Sequence, residues 1–401
     1  MQILQNRWEN KGKNMKRALI VAATGGFLKG FLISDMKLLQ KMGYEVHCAA
    51  NGNSVSTFVP EELFASIGVM FHQIDFSSTS PISKESIKAF KEYKRLLKKY
   101  HFDFVHVHTP IPGAIVRIAT MHERRKGCVV AYTTHGLTFP KGCSFSFVLI
   151  LKKKIVYGSI ERICSHITDG IITINNEDFA QMKKMACKKV YHINGVGVDT
   201  DRYHKCKIDR YSYRNSIGLT DKDIAVLEVG ELSERKNHRV IIEALSKLED
   251  ERYVFLICGK AMTNFGTYDF LKKYAEEKNV RVKFLGFRKD IPELNKCADI
   301  AVLPSLREGL GLAGIEALAS GVPVIGSRVQ GIKDYVIDGK TGYLCSPLNA
   351  DEFADKIKLL SDVNLRRSMK NACIDKAEEF RMDISHKQMS EIYEQLLAKK
   401  S

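Results

Sequence analysis

The 401-residue sequence lacks the features that mark several large functional classes. Its ten cysteines form no Cys-x-x-Cys pair and no Cys/His cluster at zinc spacing, which excludes a finger- or ribbon-type metal module. Several sit in apolar runs, such as Cys258 after Val254-Phe-Leu-Ile, and read as buried reduced thiols, the expectation for a reducing cytosol. No apolar run approaches the ~20 residues that span a bilayer. The longest one near a basic cluster, Phe145 to Leu151, is far too short. Met1 to Asn14 has no signal-peptide core, so residues 1–14 are expected to be a disordered extension or a product of start-site choice, ahead of Met15-Lys-Arg. There is no Asp-x-Asp metal motif at a strand end, no short repeat, no low-complexity tract and no nucleic-acid motif.

Charge is abundant but uneven. Residues 1–195 carry 28 Lys/Arg against 14 Asp/Glu, whereas residues 196–401 carry 34 against 32, so nearly all of the net +16 lies in the first half. A basic half favours a polyanionic partner, whether nucleic acid, an acidic membrane surface or a phosphorylated substrate, the alternative being a merely solubilising surface. Two segments concentrate it. Ile87–Tyr100 is a helix with Lys88, Lys91, Lys94, Arg95, Lys98 and Lys99. Phe139 to Tyr157 sets Phe145, Phe147, Val148 and Leu149 beside Lys152, Lys153 and Lys154. Apolar side chains next to lysines suit an anionic interface.

Short apolar runs alternate with amphipathic stretches. The pattern predicts strands over Ala18–Ala23, Glu45–Ala50, Phe104–Val107, Val129–Thr133, Gly170–Ile174 and Lys189–Ile193, with helices over Leu28–Met42, Ile87–Tyr100 and 112–125. It restarts with strands Ala225–Val229, Val254–Cys258, Val280–Leu285, Ile300–Leu303 and Val322–Ile325, and helices His238–Leu248, Tyr268–Lys278 and 313–320. The fold class is therefore α/β, two doubly wound Rossmann-like domains facing a cleft, joined by a polar segment near Gly195–Ser212. Ligands are expected at the carboxyl ends of the strands.

The richest stretch is Glu308-Gly-Leu-Gly-Leu-Ala-Gly-Ile-Glu316, followed by Ala-Leu-Ala-Ser-Gly321-Val-Pro323-Val. Two carboxylates stand eight apart, and a glycine-rich loop between them opens a helix just after a strand. Free N–H groups at that helix start suit a diphosphate. Gly309 and Gly311 let backbone approach it. Glu308 can accept from sugar hydroxyls, and Glu316 from a ribose diol. On spacing alone, a charged loop with a helix-start carboxylate explains the pattern equally well. In the first half, Gly25-Gly26 read as a turn that could press against a diphosphate or an acceptor, or as a bare tight turn. His106 and His108 share one strand face and read as structural or as acceptor wall rather than as a metal pair.

This Glu-x7-Glu stretch resembles the donor motif of family-4 (group 1) retaining glycosyltransferases. Thr24-Gly-Gly-Phe, His106-Val-His-Thr-Pro, Tyr132-Thr-Thr-His-Gly, Gly230-Glu-Leu-Ser-Glu-Arg-Lys-Asn and Gly286-Phe-Arg-Lys-Asp-Ile follow in that family's order, from about residue 16 to 390. The resemblance is greatest to bacterial capsule and exopolysaccharide enzymes. It implies the GT-B fold: an acceptor domain over 15–198, a nucleotide-sugar domain over 199–380, and a closing helix within 381–401 packed back on the first. It implies a hexosyl or N-acetylhexosaminyl transfer from a nucleotide-diphosphate sugar, UDP being expected, to a polyprenyl-diphosphate-linked acceptor, at the inner face of the plasma membrane. No metal or other cofactor and no nucleic acid is implied. Glu308 would hold the donor sugar, with the backbone of Gly309, Leu310, Gly311 and Leu312 on sugar and diphosphate and Glu316 on the ribose. Lys236 would neutralise the diphosphate, with Gly230 beside it. Arg288 lies in the turn that meets the base, and His135 would orient the donor sugar. Glu231 stands where the family commonly has arginine, which leaves Arg235 as a candidate second cation by proximity. A nucleotide-sugar epimerase of the same fold and a non-catalytic partner protein are the alternatives.

Overall fold

The computed structural model describes residues 15–53, 58–77, 83–137, 147–261 and 267–398. These fall into two compact units, one built from 15–137, 147–196 and 386–398, the other from 197–385. The expected extension over 1–14 lies outside the described residues, as does 139–146 of the Phe139–Tyr157 segment; its remainder enters helix Phe147–His166.

In the first unit seven strands form one parallel sheet. They are β1 (Arg17–Thr24), β2 (Glu45–Asn51), β3 (Met70–Gln73), β4 (Phe104–His108), β5 (Val129–Thr134), β6 (Gly170–Thr173) and β7 (Val190–His192), ordered β3-β2-β1-β4-β5-β6-β7. The central strands are near-continuous apolar runs because helices cover both faces. Leu19, Val21, Val105, Val107, Val130 and Tyr132 make a core with Tyr93 and Leu97 of helix Lys84–Tyr100. The two-residue period turns Phe104, His106 and His108 to the opposite face, where Phe104 and His106 meet Tyr393 of helix Met382–Leu397.

The helix expected over Leu28–Met42 is two, Gly25–Phe31 and Ile33–Lys41, parted at Leu32, whose φ of −118° and ψ of 3° leave the helical region while its side chain stays buried. Gly25 and Gly26 are thus the first residues of a helix rather than a turn. The helix expected over 112–125 also breaks, into Pro110–Ala119 and Met121–Arg125. At the break, Thr120 donates back to Val116 O (2.8 Å) and its hydroxyl pairs with Tyr93 Oη (2.9 Å), the back-bonding that bends helices.

The second unit repeats the plan with six parallel strands, β8 (Ile224–Val229), β9 (Tyr253–Cys258), β10 (Val282–Phe284), β11 (Ile300–Leu303), β12 (Val324–Ser327) and β13 (Gly342–Cys345), ordered β10-β9-β8-β11-β12-β13. Leu227, Val254, Leu256 and Leu294 centre one of its cores. In each sheet the order reverses at one place, between β1 and β4 and between β8 and β11. The carboxyl ends of those pairs are where an open α/β sheet leaves a crevice.

Candidate functional site

At the β8/β11 end, two loops meet. After β8 the chain passes Gly230, forms a short 3₁₀ turn Glu234–Lys236 and enters helix His238–Ser246. After β11 it runs through Glu308 into helix Leu312–Ala319. Asn237 joins them: in a left-handed conformation (φ 60°), it donates to Pro304 O (3.1 Å) and Pro347 O (2.7 Å), and Leu306 N donates to Arg235 O (2.8 Å). Lys236, 9% exposed, places Nζ 3.0 Å from Glu308 Oε2, and Arg235 Nη1 donates to the same oxygen at 2.9 Å. Burial alone would raise the Glu308 pKa; the charges of Lys236 and Arg235 outweigh it and hold the carboxyl below its ordinary value. Glu231 accepts from Arg235 Nη2 (3.0 Å) and Ser233 Oγ (3.1 Å), so Arg235 lies between two carboxylates.

Gly230 does not offer its N–H outward, since it donates to Cys258 O (2.9 Å). Its missing side chain admits Lys236 instead, because a Cβ there would stand 3.0 Å from the lysine Cε. Gly311 caps the next helix in a left-handed conformation (φ 79°), and no side chain bonds that helix start. A Cβ at Gly311 would come within 2.9 Å of Glu308 Cγ. The loop is buttressed from below: Tyr335 Oη donates to Gly311 O (2.9 Å), and Gly331 packs against Gly309 O and Leu310. Leu310 is buried and Leu312 half-buried. Glu316, on the first turns of the helix, accepts from the Tyr203 hydroxyl, and burial raises its pKa. The structure thus brings together Arg235, Lys236, Glu308 and the Gly309–Leu312 backbone.

Arg288 is not in that group. Its guanidinium is held by Asp290 and donates to Tyr213 Oη (3.3 Å). The Asp290 carboxyl is drawn down to about 2, chiefly by that bond. Reading the sequence alone missed Asn237, Tyr203, Tyr335 and the buried pair His238 Nδ1–Glu228 Oε2 (2.7 Å); His238 Nε2 meets Glu231 O (3.2 Å). Of these only Asn237 had a local signal, as the last residue of the motif that begins at Gly230 and the residue directly before a helix.

At the β1/β4 end of the first unit, Gly25 and Gly26 begin helix Gly25–Phe31, whose cap is Thr24 Oγ1 accepting from Phe27 N (3.3 Å). A Cβ on Gly25 would lie 3.2 Å from the Gly52 backbone. Phe27 sets its edge on the His135 ring, centroids 4.8 Å apart. His135 Nε2 pairs with His108 Nδ1 at 3.0 Å. Behind it, His106 pairs with Tyr393 Oη (2.8 Å) and Thr133 Oγ1 (2.7 Å). Thr109, the residue after β4, has φ 69°, a strained conformation for a β-branched residue. Asp35, His106 and His108 come close enough to hold a cation, but both ring nitrogens of His106 are already bonded to hydroxyls.

Two family models match. Residues 209–379 match "Glycosyl transferases group 1", and residues 18–170 match "Glycosyl transferase 4-like". The chain is 32% identical over 352 residues to a putative glycosyltransferase EpsD of Bacillus subtilis, covering 86% of this chain and 87% of that protein. It is 30% identical to a UDP-Gal:alpha-D-GlcNAc-diphosphoundecaprenol alpha-1,3-galactosyltransferase of Escherichia coli, over 73% of this chain and 75% of the other. Among solved structures, sucrose-phosphate synthase from Thermosynechococcus elongatus superposes with a TM-score of 0.79 at 19% identity, covering 96% of this chain and all of that one. Anabaena HepE, solved with UDP and glucose, gives 0.73 at 19% over 94% of this chain and all of its own. These neighbours share the GT-B fold. Among the described residues no helix is long and apolar enough to cross a membrane.

Proposed function

This chain belongs to the group 1 glycosyltransferases of family 4, and on that premise we propose that it moves a hexose or N-acetylhexosamine from a UDP-sugar onto a polyprenyl-diphosphate-linked saccharide, with retention, in bacterial surface polysaccharide synthesis. The observation that carries this reading is the convergence of Lys236 and Arg235 on Glu308 beside the uncapped helix start at Leu312. Two cations and free helical N–H groups suit a diphosphate. In the free protein Glu308 is their counter-ion. A donor diphosphate takes over that charge and leaves the carboxylate to accept from the sugar's hydroxyls. As the bond from C1 to the diphosphate oxygen breaks, negative charge gathers on the departing phosphate, where Lys236 is already placed and needs no reorganisation. The acceptor hydroxyl attacks C1 from the same side and gives its proton to that phosphate. Glu316 with Tyr203 receives the ribose, and His135 donates to a substrate hydroxyl. The protein's own cations supply the charge, so the reaction needs no metal.

The UDP assignment and the lipid-linked acceptor rest on the names of the Escherichia coli relative and of the HepE complex. The basic first half fits an enzyme working peripherally on an anionic membrane, on its cytoplasmic face.

The test is a donor panel of UDP- and GDP-sugars with and without membrane lipid extract, following nucleoside diphosphate release. The expected result is release from one UDP-sugar, enhanced by lipid, and reduced about 100-fold or more by Lys236→Ala or Glu308→Gln. Folded protein that releases nothing from any donor, or that epimerises the donor without acceptor, overturns the proposal.

A further inference from the structure

The first unit holds a run of buried polar side chains: Thr133, His106, Tyr393 and Asp35 in one chain, and His108 with His135 beside it. The Tyr393 hydroxyl bonds the Asp35 carboxyl, and the two ring nitrogens of His106 pair with the Tyr393 and Thr133 hydroxyls. The second pair admits two arrangements. If His135 Nε2 carried the proton, His108 Nδ1 would accept and the His108 proton would sit on Nε2. That atom is fully buried and has no hydrogen-bond partner. A buried N–H with nothing to bond is rarer and costlier than an unshared lone pair. The proton therefore belongs on His108 Nδ1, which donates to His135 Nε2 across 3.0 Å.

We propose that His108 is a positioning residue whose Nδ1–H fixes the His135 ring as its Nδ1–H tautomer, making His135 a neutral hydrogen-bond donor towards substrate. Among the described residues nothing bonds His135 Nδ1, and the ring is half-buried under Phe27. Burial pushes its pKa down to about 4, so the ring stays neutral at working pH and discriminates by geometry rather than by charge. The part of the inference that concerns substrate rests on the transferase reading above; the tautomer itself does not.

The deciding measurement is a long-range ¹H–¹⁵N correlation spectrum of the histidine-labelled full-length protein, assigned with His135→Gln. The expected pattern is protonated Nδ1 and bare Nε2 on both His108 and His135. A proton on His135 Nε2 overturns the proposal whatever the enzyme does. Addition of Zn²⁺ is expected to leave these lines in place; stoichiometric shifts of the His106 and His108 resonances would assign the cluster to a metal instead and also overturn it. In the activity assay, His108→Leu is expected to lower kcat about tenfold with donor KM little changed. His108→Asn, whose amide N–H stands near the Nδ1 position, should recover most of that loss. Equal losses in the two variants would make His108 merely structural.

Discussion

Gly314 and Gly30 both lie in helices, yet their surroundings give alanine opposite signs. A Cβ on Gly314 would stand 2.4 Å from Tyr335 Oη, the group that holds Gly311 O under the glycine-rich loop. Gly314→Ala should therefore cost about 1–3 kcal/mol and weaken UDP binding as the loop shifts. Nothing lies within 4 Å of a Cβ on Gly30, so Gly30→Ala should stabilise by about 0.5–1 kcal/mol through the unfolded chain. Thermal unfolding of the two variants checks this, and shifts of the same sign would refute it. Glu231 makes a different kind of contribution. Its pair with Arg235 is about one-third exposed on both sides and adds little stability. On the proposed donor site, however, its charge would compete with a diphosphate for that arginine. Glu231→Gln should leave the unfolding midpoint unchanged and tighten UDP binding roughly threefold, read by calorimetry at low salt. Unchanged or weaker UDP binding would mean that Arg235 does not meet the diphosphate.

At the scale of elements, the two units couple histidines to stability in opposite directions. Burial lowers the His238 pKa, but the Glu228 carboxylate more than offsets this and leaves it raised above 6.5. A group with a raised folded pKa contributes fully below its unfolded value and loses that contribution as pH rises through the folded one. The urea midpoint gap between wild type and His238→Gln should thus narrow from pH 6 to pH 9. In the first unit, burial depresses His72 and His106 to about 3 and His135 to about 4. Their unfolded rings take up protons first, so β2–β5 should lose stability as pH falls from about 6.5 towards 4, a loss partly offset by Asp35 and Asp178, whose carboxyls are raised by burial to about 7 and about 6 and take up protons first in the folded state. Hydrogen exchange at pH 7 and 5, corrected for intrinsic rate, would show it as lost protection there. Legibility follows the same division by element. The central strands could be read because burial on both faces makes them continuous apolar runs, and the glycine-rich loop because its residues are neighbours in the chain. The short edge strands β3 and β13 escaped because each is only four residues long and shows no alternating or continuous apolar pattern. The breaks at Leu32 and Thr120 escaped because neither is a proline or a glycine. Tyr203, Tyr335 and Glu228 could not be found at all: each reaches its place through tertiary packing across sequence gaps that no local motif spans.

For the whole molecule, the informative quantity is the placement of charge. The first 195 residues hold twice as many basic as acidic side chains, whereas the rest nearly balance. Helix Lys84–Tyr100 shows how that excess is arranged. Its buried face is Ser86, Ala89, Tyr93, Leu96 and Leu97, so Lys84, Lys88, Lys91, Arg95 and Lys98, spaced four, three, four and three apart, form one solvent-facing stripe. Lys94 reaches across to Ala119 O (3.3 Å), next to the exposed Ile118 and Met121 and the basic end of helix Met121–Arg125. Cations with a few exposed apolar side chains make a surface for anionic headgroups, worth about 1 kcal/mol per cation close to the membrane and screened by salt. Co-sedimentation with vesicles is therefore expected to rise with their anionic lipid content and to fall between 50 and ~300 mM salt. The double variant Lys91→Glu/Arg95→Glu should detach the protein while its release of nucleotide from a soluble donor assay stays unchanged, because neither residue touches the Glu308 site. Turnover of a vesicle-borne acceptor should fall with it. Binding that ignores both salt and the double substitution would remove this helix from the membrane-facing surface and shift the role of the basic half to a soluble phosphorylated ligand.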